Sequence, residues 1–128
     1  MIDKLKARIW PTVALTRGKQ FERLAGQHLQ QRGLSLLATN YHTRFGEIDI
    51  IARDGDCLVF VEVRFRADVS HGSPVATVTP AKQEKIRRTA LNFLQKHGLT
   101  NKMPSRFDVV GITGSLKVPS FRWIKNAF

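Results

Sequence analysis

Gly46-Glu47-Ile48-Asp49-Ile50-Ile51-Ala52-Arg53-Asp54-Gly55-Asp56-Cys57-Leu58-Val59-Phe60-Val61-Glu62-Val63-Arg64-Phe65-Arg66 is the stretch that decides the fold. Two runs rich in Val, Ile and Phe flank Asp54-Gly55, which predicts strands over 46–53 and 57–66 joined as a hairpin. With Asp54-Gly55 as the loop, Arg53 faces Asp56, Asp49 falls opposite Phe60 and Glu47 opposite Glu62. Side chains alternate along a strand, so Glu47, Asp49, Glu62 and Arg64 are expected on one face. Ile48, Ile50, Val59, Val61, Val63 and Phe65 then form the core face.

Working outward, residues 34–41 read as a preceding strand. From Gly18, the residues Phe21, Leu24, Ala25, His28 and Leu29 repeat at helical spacing and Gly33 supplies a C-cap. Downstream, residues 67–78 have no sustained period and read as a loop. Thr79-Pro80 is an N-cap and first-turn pair, and Ile86, Ala90, Phe93, Leu94 and His97 continue one helical face to Gly98. Strands over 106–112 and 120–125 complete the order α-β-β-β-α-β-β. The strand-helix-strand unit over 57–112 is a crossover, so its strands should be parallel and the sheet mixed, flanked by helices. Residues 1–17, with Lys4, Lys6, Arg8, Arg17 and Pro11, read as a basic, loosely held arm, and 18–128 as one domain.

A chain of 128 residues, 42% hydrophobic and 24% charged, is the size and composition of one globular domain with a single core. No apolar run approaches the ~20 residues that span a bilayer, so no membrane is expected. The single cysteine, Cys57, excludes an internal disulfide, and one cysteine with four histidines offers no zinc spacing. A cytoplasmic setting fits. The 21 Lys plus Arg against 10 Asp plus Glu give +11, a field that attracts phosphate backbones and points to nucleic acid as the partner.

Within that basic chain the hairpin carries acids. Carboxylates opposite or diagonal on a sheet repel by up to ~1 kcal/mol per pair. A hard divalent cation offsets this, and Mg²⁺ takes one or two carboxylates with water and substrate phosphate in its other positions. Such a site suits phosphodiester cleavage. The plain alternative is a solvated face on which Arg64 and Arg66 neutralise the acids.

The runs Gly46-Glu47-Ile48-Asp49-Ile50-Ile51 and Phe60-Val61-Glu62-Val63-Arg64-Phe65-Arg66, with Arg106-Phe107-Asp108-Val109-Val110 and the ending Trp123-Ile124-Lys125-Asn126-Ala127-Phe128, resemble the YraN family of bacterial proteins. That family is similar to Holliday junction resolvases and the PD-(D/E)xK nuclease superfamily. The resemblance implies a restriction-endonuclease-like fold and an endonuclease acting on branched or structured DNA with Mg²⁺ or Mn²⁺. Asp49 and Glu62 would then be catalytic metal ligands, with Glu22 contributing and Glu47 beside them. The lysine of the motif is replaced by Arg64, which stays protonated and can stabilise charge or orient phosphate but cannot give up its proton. Action on a junction would need two sites, hence a homodimer.

On the second helix Lys82 and Gln83 project near Ile86 at an anion-attracting N-terminus, and the resemblance implies that Gln83 completes the site. Lys85, Arg87 and Arg88, with Arg66 on the hairpin, are candidate backbone contacts. His28 and His97 fall on apolar stripes and read as core or edge residues, and His42 and His71 lie in loops beside the hairpin. Two other functions fit the composition: a nucleic-acid-binding module that keeps the fold without chemistry, and an adaptor whose basic face meets an acidic protein. Metal binding separates the first of these from the nuclease, and a salt-dependent DNA shift separates the second from both.

Overall fold

Thr16 and Thr79 set where the two helices begin. The Thr16 hydroxyl accepts from the Lys19 amide at 3.2 Å and the Thr79 hydroxyl from the Lys82 amide at 3.2 Å, so each satisfies an amide that has no partner inside its helix. The computed structural model describes residues 15–66 and 72–128; most of the expected N-terminal arm and His71 lie outside the described residues. The order is α1 (Arg17–Gln31), β1 (Ser35–Thr43), β2 (Gly46–Asp54), β3 (Cys57–Arg66), a 3-10 turn (Pro74–Thr77), α2 (Pro80–Lys96), β4 (Ser105–Gly114) and β5 (Pro119–Ile124). Both helices end alike. Gly33 at φ 98° and Gly98 at φ 65° allow the Leu34 amide to reach back to the Leu29 carbonyl and the Leu99 amide to that of Leu94, the paired closure of a Schellman motif.

The five strands form one sheet in the order β1-β2-β3-β4-β5, antiparallel except for the β3-β4 pair. That parallel pair flanks the crossover through α2, as the strand-helix-strand pattern predicts. The two helices cover opposite faces. Phe21, Ala25 and Leu29 of α1 pack with Ile50, Ala52, Val59, Val61, Val110 and Ile112. Ile86, Ala90 and Phe93 of α2 pack with Leu37, Ile51, Leu58, Phe60 and Val109 on the other side. Neither helix is long and apolar enough to cross a membrane.

Two expectations about the hairpin change. Asp54 pairs with Cys57 and Arg53 with Leu58, so the loop is Gly55-Asp56, with Gly55 at φ 59° in the first loop position that a II′ turn reserves for glycine. The register therefore moves by two residues, and because side chains alternate with period two, β3 keeps its expected faces. Ile48 is the second change. It packs in the α2-side cluster while Ile50 packs in the α1-side cluster, so β2 does not hold one face through Asp49.

Candidate functional site

That change of face marks a place where the sheet opens. The β2-β3 ladder ends at Ile50-Val61. Beyond it, Gly46, Glu47 and Ile48 stay paired with Thr43, His42 and Tyr41 of β1, whereas Glu62 through Arg66 follow Val109 through Thr113 of β4. Asp49 stands at the fork. Its Oδ2 accepts the Val63 amide at 2.8 Å, a side-chain acceptor in place of the backbone carbonyl that a continued ladder would supply. On the other side, the residue of β1 between Thr39 and Tyr41, Asn40, is at φ 52° and accepts from the Lys19 ammonium.

The fork is open to both helices, and its cavity of about 580 Å³ is lined from both faces of the sheet: Phe21 and Glu22 of α1, Lys82, Lys85 and Ile86 of α2, and Glu47, Asp49, Glu62 and Arg64 of the hairpin among others. The acids thus meet in an opening rather than along one flat face. Carboxylate oxygens of Glu22, Glu47 and Asp49 lie within 4.8 Å of one another. Glu62, 5% exposed, stands behind them with its Oε2 at 3.1 Å from the Arg64 guanidinium and 3.0 Å from Lys82 Nζ. Lys19 reaches from the first turn of α1 to Glu22 at 3.2 Å and Glu47 at 3.4 Å, and His42 lies 3.3 Å from Glu47.

Burial pushes the Asp49 carboxyl up to about 6, against hydrogen bonds to Glu62 and the Val63 amide that pull it down. Burial, then the charge of Asp49, pushes Glu62 up to about 7, with Lys82 pulling it back. The two therefore titrate as a pair near neutrality, sharing a proton through a carboxyl-carboxylate hydrogen bond. Among the described residues the buried Glu22 Oε2 has no hydrogen-bond partner, only the ion pair to Lys19. Hard oxygen donors and repelling charges are what a small divalent cation would satisfy, and oxygens this close can close around one ion at about 2.1 Å. The donor set fits Mg²⁺ or Mn²⁺ and, having no thiolate, offers nothing that selects softer metals.

The other sequence candidates divide. Lys82 and Lys85 line the fork, and Arg66 lines a neighbouring cavity with Arg64. Gln83 donates to the Val78 carbonyl at 3.0 Å and closes the start of its own helix. Arg87 lies over the Phe128 ring, and Arg88 over Phe45 while paired with Glu84 at 3.2 Å. His28 stacks on Phe121 and His97 leans on Phe93, both lowered in pKa by burial. Lys19 is not among the sequence candidates; its one local signal is the three-residue spacing to Glu22.

The model of the uncharacterised protein family UPF0102 matches residues 21–112. A UPF0102 protein of Chromohalobacter salexigens is 50% identical over 112 residues, covering 88% of this chain and 89% of its own. One from Nitrosococcus oceani is 43% identical over 118 residues, covering 92% and 95%, and one from Stutzerimonas stutzeri is 46% identical over 111 residues, covering 87% and 92%.

Proposed function

The chain belongs to the YraN-like family UPF0102, and from its own residues we propose that it is a cytoplasmic, nucleic-acid-binding, metal-dependent phosphodiesterase acting on branched or structured DNA. The observation that carries the proposal is the convergence of Glu22, Glu47 and Asp49 at the fork with two cations, Arg64 and Lys82, on the adjoining Glu62. The resemblance to Holliday junction resolvases and PD-(D/E)xK nucleases, and with it the restriction-endonuclease-like reading of the mixed sheet, supports the same activity. Cleavage of a junction would call for a homodimer.

Asp49, Glu62, Glu22 and Glu47 would hold the ion. When bound, Mg²⁺ or Mn²⁺ supplies Lewis-acid polarisation and a more acidic water. The Asp49-Glu62 pair carries a proton near neutrality that must leave as its carboxylates become ligands, so affinity for the ion rises with pH. Arg64 and Lys82 exchange Glu62 for the phosphate and stabilise the charge that develops on it. A binding module without chemistry is the second reading, favoured by one observation: Arg64 and Lys82 already neutralise Glu62.

Titration with Mg²⁺ and Mn²⁺ followed by amide shifts, then cleavage of labelled branched and single-stranded DNA by the natural protein, Arg64→Lys and Asp49→Asn, tests the proposal. Metal-dependent shifts at the fork, cleavage that Arg64→Lys keeps and cleavage that Asp49→Asn loses are expected. Equal residual cleavage by all three proteins refutes catalysis, and metal shifts without cleavage support the binding module.

A further inference from the structure

Beside the fork, on the α2 side of the sheet and beyond the start of that helix, lies a second cavity of about 530 Å³. Its floor is built by register. Arg64 of β3, Gly111 of β4 and Arg122 of β5 form one row across three strands, and Arg66, Thr113 and Ser120 form the next. Strands lie about 4.8 Å apart, so the backbones of Arg64 and Arg122 are roughly 10 Å apart with only a glycine between them. One wall is Gly72-Ser73-Pro74. Pro74 can seat there because Gly111 has no side chain: a Cβ at Gly111 would lie 2.3 Å from Pro74 Cγ.

Three guanidiniums, the hydroxyl residues Ser73, Thr113 and Ser120, and, among the described residues, no acid line this cavity. The fork next to it mixes carboxylates with Lys19, Lys82 and Lys85, and Arg64 belongs to both. Among the described residues Arg64 Nε is buried without a hydrogen-bond partner while its terminal nitrogen is held by Glu62. Arg122 is exposed. Arginines this close together repel, and planar forks of N–H donors suit phosphate oxygens.

We infer that this cavity is a phosphate-binding subsite for the strand whose scissile group occupies the fork, with Arg122, Arg66 and the Thr113 and Ser120 hydroxyls holding the backbone one step away. The inference rests on the nucleic-acid reading above and extends it. A strand enters over Arg122, passes Arg64 and reaches the carboxylates, so Arg122 is a binding residue remote from the chemistry. Because the subsite reads backbone and no base edge, it is indifferent to sequence.

The test is anisotropy of a short labelled single strand, in DNA and RNA forms, with metal chelated and salt varied from about 50 to 200 mM. Arg122→Ala should weaken binding of the preferred strand several-fold and reduce the salt slope by about one. Arg122→Glu should weaken it further, Arg122→Lys should retain most of it, and Lys102→Ala, in the turn that precedes β4, should change little. Mg²⁺-induced amide shifts at the fork should persist in Arg122→Ala, which shows that the variant is folded with its metal site intact. Steeply salt-dependent binding that is the same in the natural protein, Arg122→Ala and Arg122→Glu overturns the subsite and leaves the nucleic-acid reading standing. No binding of either strand by the natural protein overturns both.

Discussion

Asp49→Asn should stabilise the metal-free protein while destroying its metal site. The natural carboxyl is pushed from 3.8 to about 6, first by burial, so its folded form binds protons that the unfolded chain has already released. Stability from this group is complete below pH ~4 and is lost as pH rises through about 6. A shift of about two units corresponds to about 3 kcal/mol, an upper bound because Asp49 and Glu62 titrate together. Asparagine keeps an oxygen for the Val63 amide, which Asp49 holds at 2.8 Å, and carries no charge to bury. Urea unfolding of both proteins in chelator at pH 5 and pH 8 reads the difference. Roughly half of the full gain is expected for the variant at pH 5, which lies between the unfolded and folded values, and about 1–3 kcal/mol at pH 8, with a Tm rise of several degrees. Added Mn²⁺ should stabilise the natural protein by mass action and leave the variant unmoved. A variant less stable than the natural protein at pH 8 without metal would refute the reasoning, since Asp49 would then be stabilising the fold through its charge.

Other perturbations reach different parts of the same framework. Asp108 is fully buried and accepts from Arg106 Nε at 3.0 Å, Trp123 Nε1 at 2.9 Å and the Asn126 amide at 2.9 Å. Arg106→Ala should cost about 3–5 kcal/mol in urea unfolding by leaving that carboxylate without its counter-charge, and a loss below 1 kcal/mol would show that Trp123 and Asn126 suffice. Gly111→Ala places its Cβ 2.3 Å from Pro74 Cγ and should cost about 1–3 kcal/mol, most of it recovered in a double variant with Pro74→Ala; purely additive losses would count against that contact. Lys82→Ala should flatten the salt dependence of DNA binding by about one, whereas Arg88→Ala, whose guanidinium is engaged with Glu84 and Phe45, should leave the slope nearly unchanged. Equal slopes for these two variants would place the strand somewhere other than the fork.

What was legible in the chain follows from where each instruction resides. Thr79-Pro80 and the glycines after both helices act within one turn, so the helix ends could be read directly, and strand-helix-strand over 57–112 dictated the one parallel pair. Taking Asp54-Gly55 as the loop sets the hairpin register off by two, because Gly55 leads the loop, a difference that alternation makes harmless for β3. The fork was not legible at all. Counting along a ladder only extends the ladder, whereas the parting of β2 from β3 depends on the Asp49 carboxylate holding the Val63 amide, on Asn40 of a different strand and on Lys19 of a helix. The Arg64-Gly111-Arg122 row likewise needs the β3-β4-β5 register, which no local signal encodes. A regular sheet pairs its backbone internally and leaves strand carboxylates facing solvent or a core that excludes them. Where two strands part, backbone donors come free and space opens between the helices, so charged groups can be drawn in from both faces. Asp49 is bound to that opening in both directions: its carboxylate satisfies the Val63 amide that the parting of the strands exposes, and the parting is what lets Glu22 and Glu62 approach it from opposite sides of the sheet.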